Sequence, residues 1–393
     1  MGQDGHAKTL RHGPNGRSGV AFGPVPAVVA PPPPPAIEQP APYQVSYGII
    51  TGTASPGTRR VVVRAGARVL SDLSVKGRRF YVRVPLPPGE TSVRVVTVDD
   101  RGRRAGATVP HVYGLPWAAR PQLHPPVLDV ALQRRVRALA HAYPGTSSIY
   151  VQNLTTGAGA AWNAKARFPA ASTLKLAIAM AVLERHEGIP VPGSYVNSVL
   201  RKMIEVSDDE AANTLEIWLA GSTGAGGRRV DGLLRTLGIR DSEMFGGYLV
   251  ERSLSAAIPV RSEEPPSFGL GKYTTAADLA AMLRAVWLSS GGLGPLARRY
   301  GGFTAADGWH LLYLPAHVRD PGKLDREVRG RPGVQVLHKA GWIKAGRHDN
   351  GLVVWPGGIY VAAVMTYRPG GVGPREDALA GRVARIALDR FRG

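Results

Sequence analysis

Hydrophobic and polar residues alternate with a period of two across residues 43–114, which is the pattern of strands that bury one face. The alternation is clearest at residues 79–84 and 93–98, and Gly- and Pro-rich turn sequences separate such runs. Several short strands at this regular spacing predict a small all-β sandwich for residues 43–114.

After residue 126 the pattern changes to helical spacing interrupted by short apolar strands. We predict helices at residues 132–143, across most of 196–238, at 274–288 with Thr275 as N-cap, and around 379–386. We predict strands at residues 148–154 and 159–162, and a hairpin at 351–366. Strands at both ends of a helical middle predict an α+β fold, an antiparallel sheet covered by helices with a helical second lobe.

Composition divides the chain into four segments. Residues 1–42 are rich in Gly, Pro and Ala, with five consecutive prolines at 31–35, and we predict a disordered spacer there. Residues 43–114 are the predicted sandwich. Residues 115–126 contain four prolines and are predicted to be a linker, and residues 127–393 form the α+β region.

The chain carries a formal net charge of +20 from 49 basic and 29 acidic residues, so it should attract anionic partners. No zinc-finger spacing, basic helix or RNP-like aromatic run is present, so we expect no specific nucleic-acid partner. Cell-wall polymers or anionic lipid head groups are the alternatives. There is no cysteine and no H-E-x-x-H pattern among the ten histidines, so we expect neither a metal nor another cofactor.

Targeting signals are weak in this sequence. Residues 19–30 follow basic residues and end in Ala, as a signal peptide would, but two prolines and a glycine interrupt them. No apolar run approaches the length that crosses a membrane.

Candidate chemistry begins with residues 172–175, which read Ser-Thr-Leu-Lys just before an apolar helical stripe. Ser172 and Lys175 are three residues apart and therefore share a helix face, and the helix N-terminus supplies backbone N–H groups. A desolvated Lys175 can lose its proton and act as a base toward the Ser172 hydroxyl. The alternative is structural, with Ser172 as an N-cap and Lys175 in solvent.

Two further motifs follow in order, Ser-Asp-Asp at residues 207–209 and Lys-Ala-Gly at residues 339–341. Together with Ser-Thr-Leu-Lys they parallel the S-x-x-K, S-D-N and K-T-G trio of serine β-lactamases. The flanking sequences also fit: Arg-Phe at 167–168, Ala-Ala-Asn at 211–213 and Val-Val-Trp-Pro at 353–356. From about residue 125 to residue 393, the chain resembles the class A serine β-lactamases and their penicillin-binding relatives.

The resemblance implies a role in acyl transfer for each matched residue. Ser172 would attack an amide carbonyl, Lys175 would help to remove its proton, and Ser207 would pass a proton to the leaving nitrogen. The backbone N–H groups of Ser172 and Trp342 would form the oxyanion hole, and Lys339 would hold a substrate carboxylate.

Structural explanations exist for the same residues. Ser207 could be the N-cap of the helix that follows it, and Lys339 could be an exposed strand lysine. Gly341 is better explained by the close approach of a substrate to its strand.

The sequence departs from the family pattern at two substrate-binding positions. Asp209 stands where the family has an amide that donates to the substrate, and a carboxylate cannot donate unless it is protonated. Asp209 would also hold Lys175 in its charged form and weaken it as a base. Ala340 replaces a hydroxyl residue and removes a hydrogen bond to the substrate carboxylate.

The third departure from the family pattern concerns the water-activating glutamate. The best match to its E-x-x-L-N loop is Glu251, because residues 251–255 read Glu-Arg-Ser-Leu-Ser. Counting forward from the preceding helix reaches Tyr248 instead. The match to Glu251 therefore requires a three-residue insertion. Glu263 and Glu264 are weaker candidates.

These observations lead to three functional hypotheses. The first is a class A β-lactamase-like serine hydrolase that opens β-lactam amides through an acyl-enzyme on Ser172. The second is a slowly deacylating penicillin-binding or D-Ala-D-Ala peptidase-like protein. The third is a catalytically silent module that binds the cell wall through its basic surface.

The same resemblance sets expectations about the surroundings of the enzyme. The substrate would be a β-lactam or a peptidoglycan-peptide-like molecule, and the protein would be an extracytoplasmic monomer. Residues 43–114 resemble the Ig-like modules appended to bacterial secreted enzymes, and their default role is that of a spacer or wall-binding module.

Overall fold

The computed structural model describes residues 31–249, 257–259, 271–320 and 323–393. An all-β region precedes a larger α+β region. The strands of the all-β region are β1 (Ala36–Gln39), β2 (Gln44–Ser46), β3 (Ile49–Thr53), β4 (Thr58–Ala65), β5 (Arg68–Ser74), β6 (Arg79–Arg83), β7 (Gly89–Asp99) and β8 (Arg104–Gly114). None of the described helices combines the length and the apolar character that crossing a bilayer requires.

The all-β region consists of two sheets packed face to face. One sheet has the strand order β1-β3-β6 and the other β2-β8-β7-β4-β5. Buried side chains from both sheets, such as Ile50 and Phe80 from the first and Val61 and Val93 from the second, form one apolar core. The predicted β-sandwich is therefore confirmed. Strand β1 lies inside the segment predicted to be disordered, so the sheets begin before residue 43.

The α+β region is built on a six-stranded sheet with the order β14-β15-β16-β10-β11-β9. Its pairs are antiparallel except for β11 with β9. The strands are β9 (Val127–Leu128), β10 (Thr146–Asn153), β11 (Ala158–Trp162), β14 (Gln335–Ile343), β15 (Gly346–Trp355) and β16 (Gly358–Tyr367), and a separate pair is β12 (Phe168–Pro169) with β13 (Tyr273–Thr274).

Helices cover both faces of this sheet, which confirms the predicted α+β class. Helices α1 (Val130–His141) and α9 (Pro374–Arg392) pack on one face. The other face carries a larger apolar core with α2 (Lys175–Arg185), α3 (Tyr195–Glu205), α4 (Asp209–Ala220), α5 (Thr223–Thr236), α6 (Ala276–Ser289), α7 (Gly294–Arg299) and α8 (Ala305–Tyr313). Thr275 caps α6 as predicted, since its hydroxyl accepts from the backbone N–H of Asp278 at 3.0 Å.

The sandwich is packed directly against the α+β region. Tyr47 is buried, and its hydroxyl lies 3.0 Å from the Ser290 hydroxyl at the end of α6. In the segment predicted to be a linker, Leu115 and Ala119 are buried. The indole of Trp287 donates to the Ala119 carbonyl at 2.8 Å. These contacts join the two regions on both sides of the segment predicted to be a linker.

Helix α2 is the central element of the larger core. Every residue from Lys175 to Leu183 is buried, so the helix contacts apolar neighbours on all sides. A helix enclosed in this way is a rigid support for the side chains at its N-terminal end.

Candidate active site

The nucleophile candidate lies in a tight turn at the start of α2. Ser172 is half-buried in the 3₁₀ helix Ala171–Leu174, which leads directly into α2. Ala171 has a φ of 48°, a left-handed conformation that costs energy for a residue with a Cβ. The Thr173 hydroxyl donates to the Ala170 carbonyl at 2.6 Å and closes the turn. The turn therefore fixes Ser172 beside the positive end of a buried helix.

Lys175 is completely buried and contacts residues at the start of α4. Its Nζ donates to the Ser207 carbonyl and to Asp209 Oδ1, each at 2.5 Å, and lies 3.5 Å from Ser207 Oγ. Burial lowers the pKa of Lys175, although Asp209 and Asp208 act in the opposite direction. The ion pair expected with Asp209 is present. Because burial outweighs the ion pair, the neutral form of Lys175 is more accessible than it is for a lysine in solvent.

Ser207 is positioned for chemistry and does not cap the next helix. The N-cap of α4 is Asp208, whose carboxylate accepts from the Ala211 N–H at 2.7 Å. Ser207 has a φ of 61°, a second strained backbone in the site. Its hydroxyl accepts from Lys339 Nζ at 2.8 Å. Ser207 therefore lies between two lysines, as a proton relay would require.

Lys339 on β14 is buried and is not the exposed strand lysine of the structural alternative. In addition to Ser207, it donates to the Ala340 carbonyl at 2.9 Å. Burial and the nearby charge of Lys175 lower the pKa of Lys339 to about 7. The lysine expected to hold a substrate carboxylate therefore changes its charge near neutral pH.

The role that the resemblance implies for Lys339 predicts that kcat/KM for an anionic β-lactam falls as the pH rises through about 7. Lys339 loses its proton there and would no longer attract the substrate carboxylate. The fall should approach about tenfold per pH unit above the pKa, since kcat/KM reports the free enzyme. The control substrate is the corresponding carboxyl methyl ester. Identical pH profiles for the acid and the ester would contradict this role.

Gly341 is required by the nucleophile turn itself. A Cβ at this position would lie 2.7 Å from the backbone nitrogen of Ser172 and 2.8 Å from that of Thr173. The sequence had attributed this glycine to the approach of a substrate. In the structure the close neighbour is protein backbone, which gives this glycine a structural reason in addition. The next residue, Trp342, lies on the edge strand β14 with its side chain 65% exposed.

Sequence reasoning did not select Tyr248, which lies against the base. The Asn213 side chain donates to the Tyr248 carbonyl at 2.9 Å and accepts from its N–H at 2.6 Å. The Tyr248 ring centroid is 4.7 Å from Lys175 Nζ and 4.7 Å from Lys272 Nζ. Burial raises the pKa of Tyr248 well above its ordinary value, so the phenol stays neutral. Tyr248 therefore fills the space beside Lys175 and cannot serve as a base.

The signal that could have found Tyr248 was the residue count, which reached this position from α5 without an insertion. The candidates that required an insertion or a longer loop, Glu251, Glu263 and Glu264, lie outside the described residues. Within the described part of the chain, a continuous set of contacts joins Ser172, Lys175, Ser207, Asp209, Lys339 and Gly341.

Comparison with known proteins identifies the family and the fold. A family model described as the beta-lactamase enzyme family matches residues 131–188 and 189–391. The structure of PBP-A is similar, with a TM-score of 0.54 and 22% identity over 69% of this chain and 99% of that chain. A class A beta-lactamase from Mycobacterium abscessus gives a TM-score of 0.52 and 19% identity over 67% of this chain and 100% of the other.

A beta-lactamase from Sphaerobacter thermophilus is also similar, with a TM-score of 0.50 and 21% identity over 67% of this chain and 97% of that chain. At these identities the structural likeness establishes the fold. No curated protein matches the sequence. Since the family model covers most of the region that follows the sandwich, this chain belongs to the β-lactamase enzyme family.

Proposed function

We propose that this protein is a serine acyl-transfer enzyme that reacts with β-lactams and related peptide substrates through Ser172 and releases the acyl group slowly. Family membership supports the chemistry of acylation. The observation that carries the slow release is the packing of the Tyr248 ring 4.7 Å from Lys175 Nζ.

Acylation follows from the arrangement around Ser207. Ser172 Oγ attacks the amide carbonyl as its proton passes to Lys175. The backbone N–H groups of Ser172 and Trp342 stabilise the oxyanion. The C–N bond then breaks, and the proton passes from Lys175 through Ser207 Oγ to the leaving nitrogen. Protonated Lys339 donates a hydrogen bond to Ser207 Oγ and attracts a substrate carboxylate.

Hydrolysis of the acyl-enzyme needs a water molecule beside a basic group. Tyr248 is neutral and occupies the space beside Lys175, and the nearby carboxylate of Asp209 is engaged by the same lysine. A fast hydrolase would need a base in that space, and the candidate Glu251 lies outside the described residues. The described site therefore favours a long-lived acyl-enzyme over rapid turnover.

A catalytically silent module is the less favourable explanation. Two lysines with lowered pKa values are buried around one serine hydroxyl, and burying such charges is costly. Acyl transfer gives this arrangement a purpose, whereas surface binding does not. Substrates of this class lie outside the cytoplasm, and we extend the proposal to that location.

A chromogenic cephalosporin tests the proposal. We expect a burst of about one chromophore per protein molecule, followed by a much slower steady rate, as accumulation of an acyl-enzyme requires. Ser172→Ala should abolish the burst. Ser198→Ala, at an exposed position on α3, should leave it unchanged. Rapid turnover without a burst would indicate a hydrolase, and no reaction in the wild type would indicate a silent module.

A further inference from the structure

The outer face of the five-stranded sheet carries a groove that acyl transfer does not use. The groove has a volume of about 620 Å³ and crosses strands β4, β7 and β8. Its charged lining consists of one carboxylate, Asp72, and four arginines, Arg60, Arg64, Arg94 and Arg104. The inner face of the same strands forms the core of the sandwich, so the outer face is the one that remains for a ligand.

The strand register arranges these arginines in two rows. Arg64 on β4 is directly opposite Arg94 on β7. In the second row, Arg60 is opposite Val98, which is in turn opposite Arg104 on β8. Arg60 and Arg64 are four residues apart on one strand, so the rows are separated by about 13 Å at the usual rise per residue.

An apolar floor lies between the two rows. Val62 is opposite Val96, and Val96 is opposite Gly106. A Cβ at Gly106 would approach Arg94 Nε to 3.4 Å, so the glycine leaves room for this arginine to lie across the floor. The groove thus combines guanidinium walls with an aliphatic base.

The charges in the groove are only partly compensated within the protein. Arg60 is paired with Asp72, and Arg64 donates to the Ala67 carbonyl at 3.0 Å. Among the described residues, no acidic side chain pairs with Arg94 or Arg104. Like charges directly opposite on neighbouring strands, such as Arg64 and Arg94, destabilise a sheet. A bound anion would relieve that repulsion.

We propose that this groove binds an extended, carboxylate-bearing polysaccharide. The C–H faces of the sugar rings would lie on the valine floor, and the carboxylates along both edges of the chain would receive paired N–H donors from the two arginine rows. Single-stranded nucleic acid is less suited, because its binding sites stack bases on aromatic rings and the described lining has none. The proposal concerns a polymer-binding site and stands apart from the chemistry at Ser172.

Binding of the full-length protein to polygalacturonate tests this site. Arg94→Gln combined with Arg104→Gln should weaken binding by at least about tenfold and reduce its dependence on salt, since fewer counterions are released. The matched control is Arg134→Gln combined with Arg135→Gln, which removes the same charge from exposed positions on α1. The control should bind within about twofold of the wild type.

A second variant tests the floor. Gly106→Glu places a carboxylate between the arginine rows and should abolish binding to polygalacturonate. Neither the wild type nor any of these variants should bind uncharged dextran. An equal loss in the Arg134 and Arg135 control would overturn the proposal, because binding would then depend on total charge. Equally tight, Arg94-dependent binding of single-stranded DNA would also overturn it by making nucleic acid the occupant.

Discussion

Lys175→Ala is expected to slow acylation of Ser172 by about 10³-fold, within the range that loss of a general base produces. Lys175 is completely buried and is one helical turn from the nucleophile. Burial lowers its pKa, which favours the neutral amine that can accept the Ser172 proton. The rate of labelling by a fluorescent penicillin measures the effect, with the labelled fraction followed over time.

The fold should survive this change. Asp209 loses its ion pair, but its side chain is 34% exposed and can be solvated. Lys202→Ala on the exposed face of α3 is the control and should label at the wild-type rate. Thermal unfolding of both variants separates loss of chemistry from loss of structure. Labelling of a folded Lys175→Ala protein at the wild-type rate would remove Lys175 from the mechanism.

Tyr248→Glu is expected to accelerate deacylation by at least about 10²-fold, the smaller end of the effect of a positioned general base. The two hydrogen bonds between the Asn213 side chain and the backbone of residue 248 hold that backbone in place. A glutamate there would therefore direct its carboxylate toward Lys175. Loss of the ring would also leave room for a water molecule. Steady-state turnover of a chromogenic cephalosporin measures the gain, and the acylation burst should remain.

Tyr248→Gln separates the effect of adding a base from the effect of the space that loss of the ring leaves. Glutamine removes the ring and has the same length as glutamate, but its amide cannot accept a proton at neutral pH. We expect Tyr248→Gln to deacylate nearly as slowly as the wild type. Equal acceleration by both substitutions would mean that access of water alone limits release. No acceleration by Tyr248→Glu would contradict the assignment of this position.

Elements with strong local patterns were predictable from the sequence. The alternation at residues 79–84 corresponds to β6, and that at 93–98 lies within β7, because side-chain period is a local property of a strand. Thr275 was identified as a cap because its partner is only three residues away. The spacing of Ser172 and Lys175 is similarly local to one turn.

Features that depend on distant residues were not predictable. The packing of Tyr47 on Ser290 joins residues 243 positions apart, so composition alone suggested an independent module and a linker. Tyr248 is held by Asn213, 35 positions earlier, and its loop has no periodic pattern. The lowered pKa of Lys339 results from burial and from Lys175, and no short motif contains that information.

Intact-protein mass measurement after mixing with benzylpenicillin tests the central claim most directly. We predict that one penicillin adds to each protein molecule, that digestion locates it on the peptide containing Ser172, and that most of the adduct persists long after free penicillin is removed. Ser172→Ala should gain no mass. The absence of an adduct on the wild type, or an adduct on another residue, would contradict the account.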